Sequence, residues 1–128
     1  MALDYLSLLN PSQAGAVMQT DGPCMIIAGA GSGKTRVLTY RIAHLLEKGV
    51  DPFNILALTF TNKAAKEMRA RVEKVVGPNA RNLWMGTFHS VFAKILRSEA
   101  DKIGYPRSFT IYDSQDSKTL MGQIVKEL

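Results

Sequence analysis

The segment Ala28-Gly29-Ala30-Gly31-Ser32-Gly33-Lys34-Thr35 constrains the fold more than any other part of this sequence. Its glycines let consecutive backbone N–H groups point inward without side-chain obstruction, beside the positive end of a helix that starts there. Lys34 would then reach the β and γ phosphates of a nucleoside triphosphate, and the Thr35 hydroxyl would coordinate Mg²⁺. The strict pattern begins with Gly, and the small Ala28 is a tolerated substitute. The alternative is a glycine-rich turn with an accidental Lys-Thr pair.

The elements around this loop favour phosphate binding over that alternative. The apolar run from Cys24 to Ala28 predicts a buried strand that leads into the loop. A helix is predicted from Gly33 to Lys48, with apolar residues at helical spacing and Gly49 as its C-terminal stop. This order of strand, loop and helix is the context that supports the interpretation as a phosphate loop.

The rest of the chain continues the alternation of helices and strands. Continuous apolar runs are typical of parallel strands that helices cover on both faces, so we expect an α/β fold. The predicted elements are a helix from Pro11 to about Gln19, a strand Ile55–Phe60, a helix Lys63–Val76, a strand Leu83–Met85, a helix from Val91 to about Lys102, an extended piece Phe109–Tyr112 and a helix Gln115–Leu128.

Composition limits the class of protein. The 128 residues, 46% of them hydrophobic, suffice for one domain with a real core. The net charge of +5 favours polyanionic partners, although solubility alone would also explain it. The single Cys24 predicts a small buried hydrophobe in a reducing cytoplasm. Asp4 stands where a signal peptide has a basic residue, and no apolar run approaches the ~18 residues of a membrane span.

Four segments together resemble motifs of the UvrD/Rep/PcrA family of superfamily 1 DNA helicases. Ala28 to Thr35 with Arg36 is similar to motif I, Thr59-Phe60-Thr61-Asn62-Lys63-Ala64-Ala65 to motif Ia, and Gly86-Thr87-Phe88-His89-Ser90 to motif Ib. Leu9-Asn10-Pro11-Ser12-Gln13 resembles the Q motif. The resemblance implies a RecA-like P-loop NTPase fold, a three-layer parallel sheet with flanking helices, incomplete in this chain. It also implies that residues 1–105 belong to the ATP-binding domain and that 106–128 begin an inserted helical subdomain.

The resemblance assigns ATP and Mg²⁺ as cofactors and adds two nucleotide contacts to the loop. Gln13 is expected to read the adenine edge, and Arg36 to lie beside the bound nucleotide. Each has a simpler interpretation from the residues alone. Gln13, at the third helical position, can close a capping box with Asn10, and Arg36 can be an ordinary solvated arginine in the first turn of a helix.

Motifs Ia and Ib each follow a predicted strand, at the sheet edge where ligands of open α/β sheets gather. Stacking on Phe60 and hydrogen bonds to backbone phosphates would suit sequence-tolerant binding of single-stranded DNA. In the simpler interpretation, Phe60 belongs to the core, Asn62 caps the next helix and His89 is structural; Phe88 is either core or a stacking surface. The predicted DNA contacts are Thr59, Phe60, Thr61, Asn62, Lys63, Thr87, His89 and Ser90.

The sequence offers no convincing candidates for the residues that hydrolyse ATP. ATP hydrolysis needs a carboxylate on Mg²⁺ and a second group to orient water. Asp113 follows an extended piece, but it is better explained as a helix N-cap. We therefore expect a helicase piece that holds phosphates without hydrolysing them alone, and whose sheet has an exposed edge. As the resemblance implies, the full-length enzyme would act on single strands and duplex junctions. A non-hydrolysing binding module is the rival hypothesis, and motifs Ia and Ib argue against a small P-loop kinase.

Overall fold

The computed structural model describes residues 5–128, and its short parallel sheet lies in the part of the chain before Val91. Contacts divide the chain into two compact units, one up to Val91 and one from Phe92 onward. Within the described range, no helix is long and apolar enough to cross a membrane. The elements are α1 (Pro11–Met18), α2 (Lys34–Glu47), β1 (Leu56–Thr59), α3 (Asn62–Val76), β2 (Trp84–Thr87), α4 (Phe88–Glu99) and α5 (Ser114–Glu127).

Local capping signals set the starts of α1 and α5, as the sequence predicts. Asn10 accepts the Gln13 backbone N–H and Gln13 accepts the Asn10 N–H, so α1 begins with a complete capping box. The Asp113 side chain accepts the N–H groups of Gln115 and Asp116, which confirms its predicted role as an N-cap. Both helices therefore begin where side chains satisfy orphan backbone donors.

The sheet consists of β1 and β2, which pair in parallel from Leu56 opposite Trp84 to Thr59 opposite Thr87. Helix α3 connects them, as expected for a strand-helix-strand unit. The fully buried Met68 and Val72 of α3 belong to the main core with residues of both strands. The core residues are Ile42, Ile55, Ala57, Met68, Val72, Ala80, Leu83 and Met85.

The predicted strand from Cys24 to Ala28 is wrong. The segment has no strand hydrogen bonds, and Cys24, expected to be buried, is exposed. Met25 is 84% exposed and Ile27 89% exposed. A strand exists only through pairing with a neighbour, and β1 and β2 pair with each other but not with this segment. The segment from Cys24 to Ala28 is therefore apolar in sequence but has no neighbouring strand among residues 5–128 that would bury it.

Two further boundaries differ from the predictions. Helix α4 begins at Phe88 and not at Val91, because β2 leads directly into it and the Thr87 hydroxyl accepts the Ser90 N–H at 3.2 Å, as an N-cap does. Thr61, and not Asn62, caps α3, since its side chain accepts the Ala64 N–H at 3.1 Å. Asn62 is the first residue of the helix.

The second unit, from Phe92 onward, has its own small set of contacts. Ala100 is fully buried, and the Arg97 guanidinium lies 5.1 Å from the centre of the Phe109 ring. Arg107 pairs with Asp101 at 2.9 Å. Every residue of α5 is exposed. The predicted domain boundary after residue 105 follows family architecture and stays a prediction.

The assignment of the α3 cap predicts the effect of two neighbouring substitutions. Thr61→Ala removes the acceptor for the Ala64 N–H and should lower the free energy of unfolding by ~1 kcal/mol. Asn62→Ala, the matched control, removes no capping bond and should change it by less than ~0.5 kcal/mol. Urea unfolding followed by circular dichroism measures both. Equal losses for the two variants would contradict Thr61 as the cap.

Candidate nucleotide-binding site

The phosphate loop is shaped by two glycines with left-handed backbone conformations. Gly31 has a φ of 74° and Gly33 a φ of 86°, a region that side-chain-bearing residues rarely adopt. Between them, the Ser32 N–H and hydroxyl both approach the Gly29 carbonyl, at 3.3 and 2.5 Å. Gly33 is also the N-cap of α2. The loop therefore turns sharply and delivers the chain to the positive end of a helix of 14 residues.

The Lys34 side chain lies over the loop that precedes it. Its ammonium donates to the Ala28 carbonyl at 2.8 Å and to the Gly29 carbonyl at 3.1 Å. An ammonium has three protons, so these two bonds leave one for another acceptor. The Lys34 side chain is exposed to solvent.

Thr35 lies in the first turn of α2, and a side chain from the next turn bonds to its backbone carbonyl. The Thr39 hydroxyl donates to the Thr35 carbonyl at 2.8 Å, while the Thr35 residue itself is exposed. Hydroxyl oxygen is a hard ligand that suits Mg²⁺. Residues 5–128 contain no group of three or more His, Cys, Asp or Glu side chains that could hold a metal ion by themselves. Thr35 thus fits as one ligand of a metal that nucleotide phosphates also bind.

Gln13 connects the start of α1 to the phosphate loop. Its amide oxygen accepts the Asn10 N–H at 3.2 Å, and its amide nitrogen donates to the Ser32 carbonyl at 3.1 Å. An amide has two donor protons and two acceptor lone pairs, so one of each remains after these bonds. The capping box is therefore present, and it leaves Gln13 able to bind another donor-acceptor edge.

Two arginines from different helices line the same concavity as the phosphate loop. Arg36 lies on α2, where its guanidinium is 5.9 Å from the centre of the Tyr40 ring. Arg71 reaches the concavity from α3. Sequence reasoning missed Arg71, because its place depends on how α3 packs against α2 and no local pattern marks it. Both cations suit an anionic ligand.

The buried Tyr5 ring stacks on Tyr40 of α2, with the ring centres 5.7 Å apart. Its hydroxyl donates to Glu47 at 2.7 Å and lies 2.7 Å from Nδ1 of His44. Because the one hydroxyl proton goes to Glu47, Nδ1 of His44 must be the donor in the other bond. Burial, and then the hydrogen bond and charge of Glu47, raise the pKa of the Tyr5 hydroxyl above its ordinary value. The hydroxyl therefore stays protonated at neutral pH.

The residues predicted to contact DNA follow the ends of both strands. Because Thr59 is paired with Thr87, Phe60 and Phe88 come directly after matching positions at one edge of the sheet. Phe60 is 84% exposed and is not a core residue. His89 is exposed as well.

The hydroxyls of this edge are engaged in hydrogen bonds within the chain. Thr87 is buried and its hydroxyl donates to the Ser90 hydroxyl at 3.0 Å, while Ser90 donates to the Thr87 carbonyl at 3.0 Å. Thr59 donates to the Thr61 carbonyl at 3.2 Å. Four of the residues predicted to contact DNA are exposed and have side chains without a hydroxyl: Phe60, Asn62, Lys63 and His89.

The loop glycines predict a graded series of stabilities. Gly31→Ala introduces only left-handed strain, about 1–2 kcal/mol, because nothing lies within 4 Å of the added methyl group. Gly33→Ala carries similar strain, and its methyl group would also lie 2.8 Å from the Gln13 amide nitrogen. Gly33→Ala should therefore cost roughly 0.5–1.5 kcal/mol more, the value of the displaced hydrogen bond to Ser32.

Urea unfolding of both variants, alone and combined with Gln13→Ala, measures this difference. Once Gln13 is removed, the two glycine substitutions should cost the same. A Gly33→Ala excess that persists without Gln13 would show that the extra cost arises elsewhere.

Comparison with known proteins gives the family of this site. Residues 9–128 match the UvrD/REP helicase N-terminal domain. The chain is 60% identical over 119 residues to the ATP-dependent DNA helicase PcrA of Staphylococcus epidermidis (strain ATCC 35984), covering 92% of this chain and 16% of that relative. It is 57% identical over 122 residues to the PcrA helicase of Staphylococcus aureus (strain Mu50), covering 94% of this chain and 17% of the relative. The chain therefore spans about a sixth of the length of these relatives, and it belongs to the UvrD/REP helicase family through the N-terminal domain of that family.

Proposed function

We propose that this chain binds Mg-ATP at the phosphate loop Ala28 to Thr35 and contacts single-stranded DNA at the ends of β1 and β2, as a part of an ATP-dependent DNA helicase. The observation that carries the proposal is the loop itself. Two left-handed glycines turn it into the start of α2, where Lys34 and Thr35 stand exposed. Backbone donors, a mobile cation and a hydroxyl ligand at a helix N-terminus are what a Mg-triphosphate requires.

Gln13 supports adenine as the base. The N–H and the lone pair that its amide retains form a donor-acceptor pair, and adenine presents the complementary acceptor N7 and donor N6. On that same edge guanine offers O6 in place of the donor, so this edge of guanine leaves the amide oxygen without a partner. The role in base recognition and the role in capping α1 are therefore compatible, and they use different atoms of one side chain.

Arg36 and Arg71 complete the phosphate side of the proposed site. Both line the concavity around the loop, at the side where negative charge would accumulate. The concavity holds about 260 Å³, less than the ~300–1,000 Å³ of ordinary small-molecule pockets. We infer that further walls of the ATP site come from the remaining RecA-like motor, together with the carboxylates that hydrolysis needs.

The exposed Phe60 supports the DNA contact. An aromatic ring with 84% of its surface exposed, at the C-terminal end of a parallel strand and three residues before Lys63, provides a stacking surface beside a cation. The two relatives are named ATP-dependent DNA helicases. We propose that the complete protein couples ATP hydrolysis to movement on single strands and to unwinding at duplex junctions, in the cytoplasm.

The alternative function is a nucleotide or single-strand binding module that never hydrolyses ATP. It is favoured by the lack of a metal-holding carboxylate cluster within residues 5–128. The two proposals differ in the full-length protein, where only the helicase turns over Mg-ATP. Measurable turnover by the 128 residues alone would contradict our inference that the hydrolytic groups lie elsewhere.

Removal of the loop cation tests nucleotide binding. Lys34→Ala should weaken binding of a fluorescent ATP analogue in the presence of Mg²⁺ by at least ~10-fold, since a charge-assisted hydrogen bond contributes about 1.5–3 kcal/mol. Lys48→Ala is the matched control, because Lys48 is exposed at the other end of the same helix. Fluorescence titration gives both dissociation constants. Equal affinities for the two variants would refute a role of Lys34 in phosphate binding.

Removal of the exposed ring tests DNA binding. Phe60→Ala should weaken binding of a labelled single-stranded oligonucleotide by about 5- to 150-fold, because base-aromatic stacking contributes ~1–3 kcal/mol. Phe53→Ala serves as the control, since Phe53 is also exposed but precedes β1. Anisotropy titrations at two salt concentrations measure the affinities. An unchanged affinity of Phe60→Ala would exclude the stacking contact.

A further inference from the structure

A column of stacked groups runs from the buried face of α2 to the phosphate loop. The Tyr5 and Tyr40 rings are nearly parallel, with an interplanar angle of 14°. The Arg36 guanidinium lies 5.9 Å from the centre of the Tyr40 ring. Residues 36, 40 and 44 are spaced by four along α2 and therefore share one face. The column thus begins at a buried tyrosine and ends at a cation that lines the loop.

The lower end of this column is held in place. Tyr5 is 4% exposed and belongs to a core cluster with Val17 of α1 and Val37 of α2. Its hydroxyl is fixed by the hydrogen bonds to His44 and Glu47, each 2.7 Å long. Because the Tyr5 ring is buried and its hydroxyl makes two hydrogen bonds, the ring is held against Tyr40. Tyr40 consequently packs against a ring that is itself held in place.

At the end of the column near the phosphate loop, the Arg36 side chain has to be held in place as well. Arg36 is exposed, and a free arginine side chain samples many rotamers that ligand binding would have to restrict. It also shares two adjoining concavities with Arg71, and the like charge of Arg71 would push it outward. The electron-rich face of Tyr40 attracts the guanidinium and opposes both effects.

We propose that Tyr5 and Tyr40 are positioning residues that hold Arg36 ready for the nucleotide. This inference rests on the proposed function, in which Arg36 lies beside bound ATP. The tyrosines act only through Arg36 and do not touch the ligand. They contribute to affinity because the arginine is already ordered before the nucleotide arrives.

A double-mutant cycle on the chain tests this arrangement. Tyr40→Leu should weaken binding of the fluorescent ATP analogue by about two- to five-fold, the effect of losing one exposed cation-π contact. Tyr40→Phe keeps the ring and should bind as the unmodified chain does. In an Arg36→Ala background, Tyr40→Leu should have no further effect, since the group it positions is gone.

The structural alternative gives a different result. If Tyr40 only stabilises the fold, Tyr40→Leu weakens binding equally with and without Arg36, and that additivity overturns the proposal. Should Tyr40→Leu fail to fold, Arg36→Lys provides the second variant at an exposed position. Lysine keeps the charge but lacks the planar guanidinium that lies near the Tyr40 ring, so it should bind two- to five-fold more weakly; affinity equal to that of the unmodified chain would overturn the proposal.

The Lys34→Ala titration separates this inference from the proposed function. If Lys34→Ala loses affinity while the Tyr40 cycle is additive, ATP binding stands and only the positioning role is wrong. If the unmodified chain binds no Mg-ATP, both are wrong.

Discussion

The packing of α2 between α1 and α3 is the constraint on which the rest of this structure depends. Helix α2 carries Lys34 and Thr35 at its start, and its neighbours supply the groups that surround them. From α1 comes Gln13, which bonds to the Ser32 carbonyl, and from α3 comes Arg71. Arg41 of α2 also connects this helix to α1 by donating to the Ala16 carbonyl at 2.6 Å. The phosphate loop is thus a local turn that Gln13 and Arg71 reach through helix packing.

Local signals made much of this arrangement predictable. The capping residues Asn10 and Asp113 act within three residues of their partners, so sequence patterns capture them. The helices α2 and α3 follow from apolar spacing and from glycines at their ends. The family follows from four short motifs in the correct order, and residues 9–128 match it. These features require no knowledge of what packs against what.

Features that depend on distant partners were not predictable in the same way. The apolar segment from Cys24 to Ala28 has the composition of a buried strand, but composition does not supply the neighbouring strand that it needs. The early start of α4 was missed for a local reason, because Thr87 was assigned to a loop although its hydroxyl accepts an N–H only three residues ahead. Arg71 and the Tyr5–Tyr40 stack join positions far apart in the sequence.

The double attachment of Gln13 has a consequence for which residues can occupy that position. A capping box alone accepts glutamate as readily as glutamine, since both return an acceptor oxygen to the N-cap backbone. The second attachment is stricter. Only an amide can also donate to the Ser32 carbonyl, and a carboxylate there would place two acceptors against each other. Position 13 is therefore restricted to an amide by a carbonyl oxygen 19 residues further along the chain.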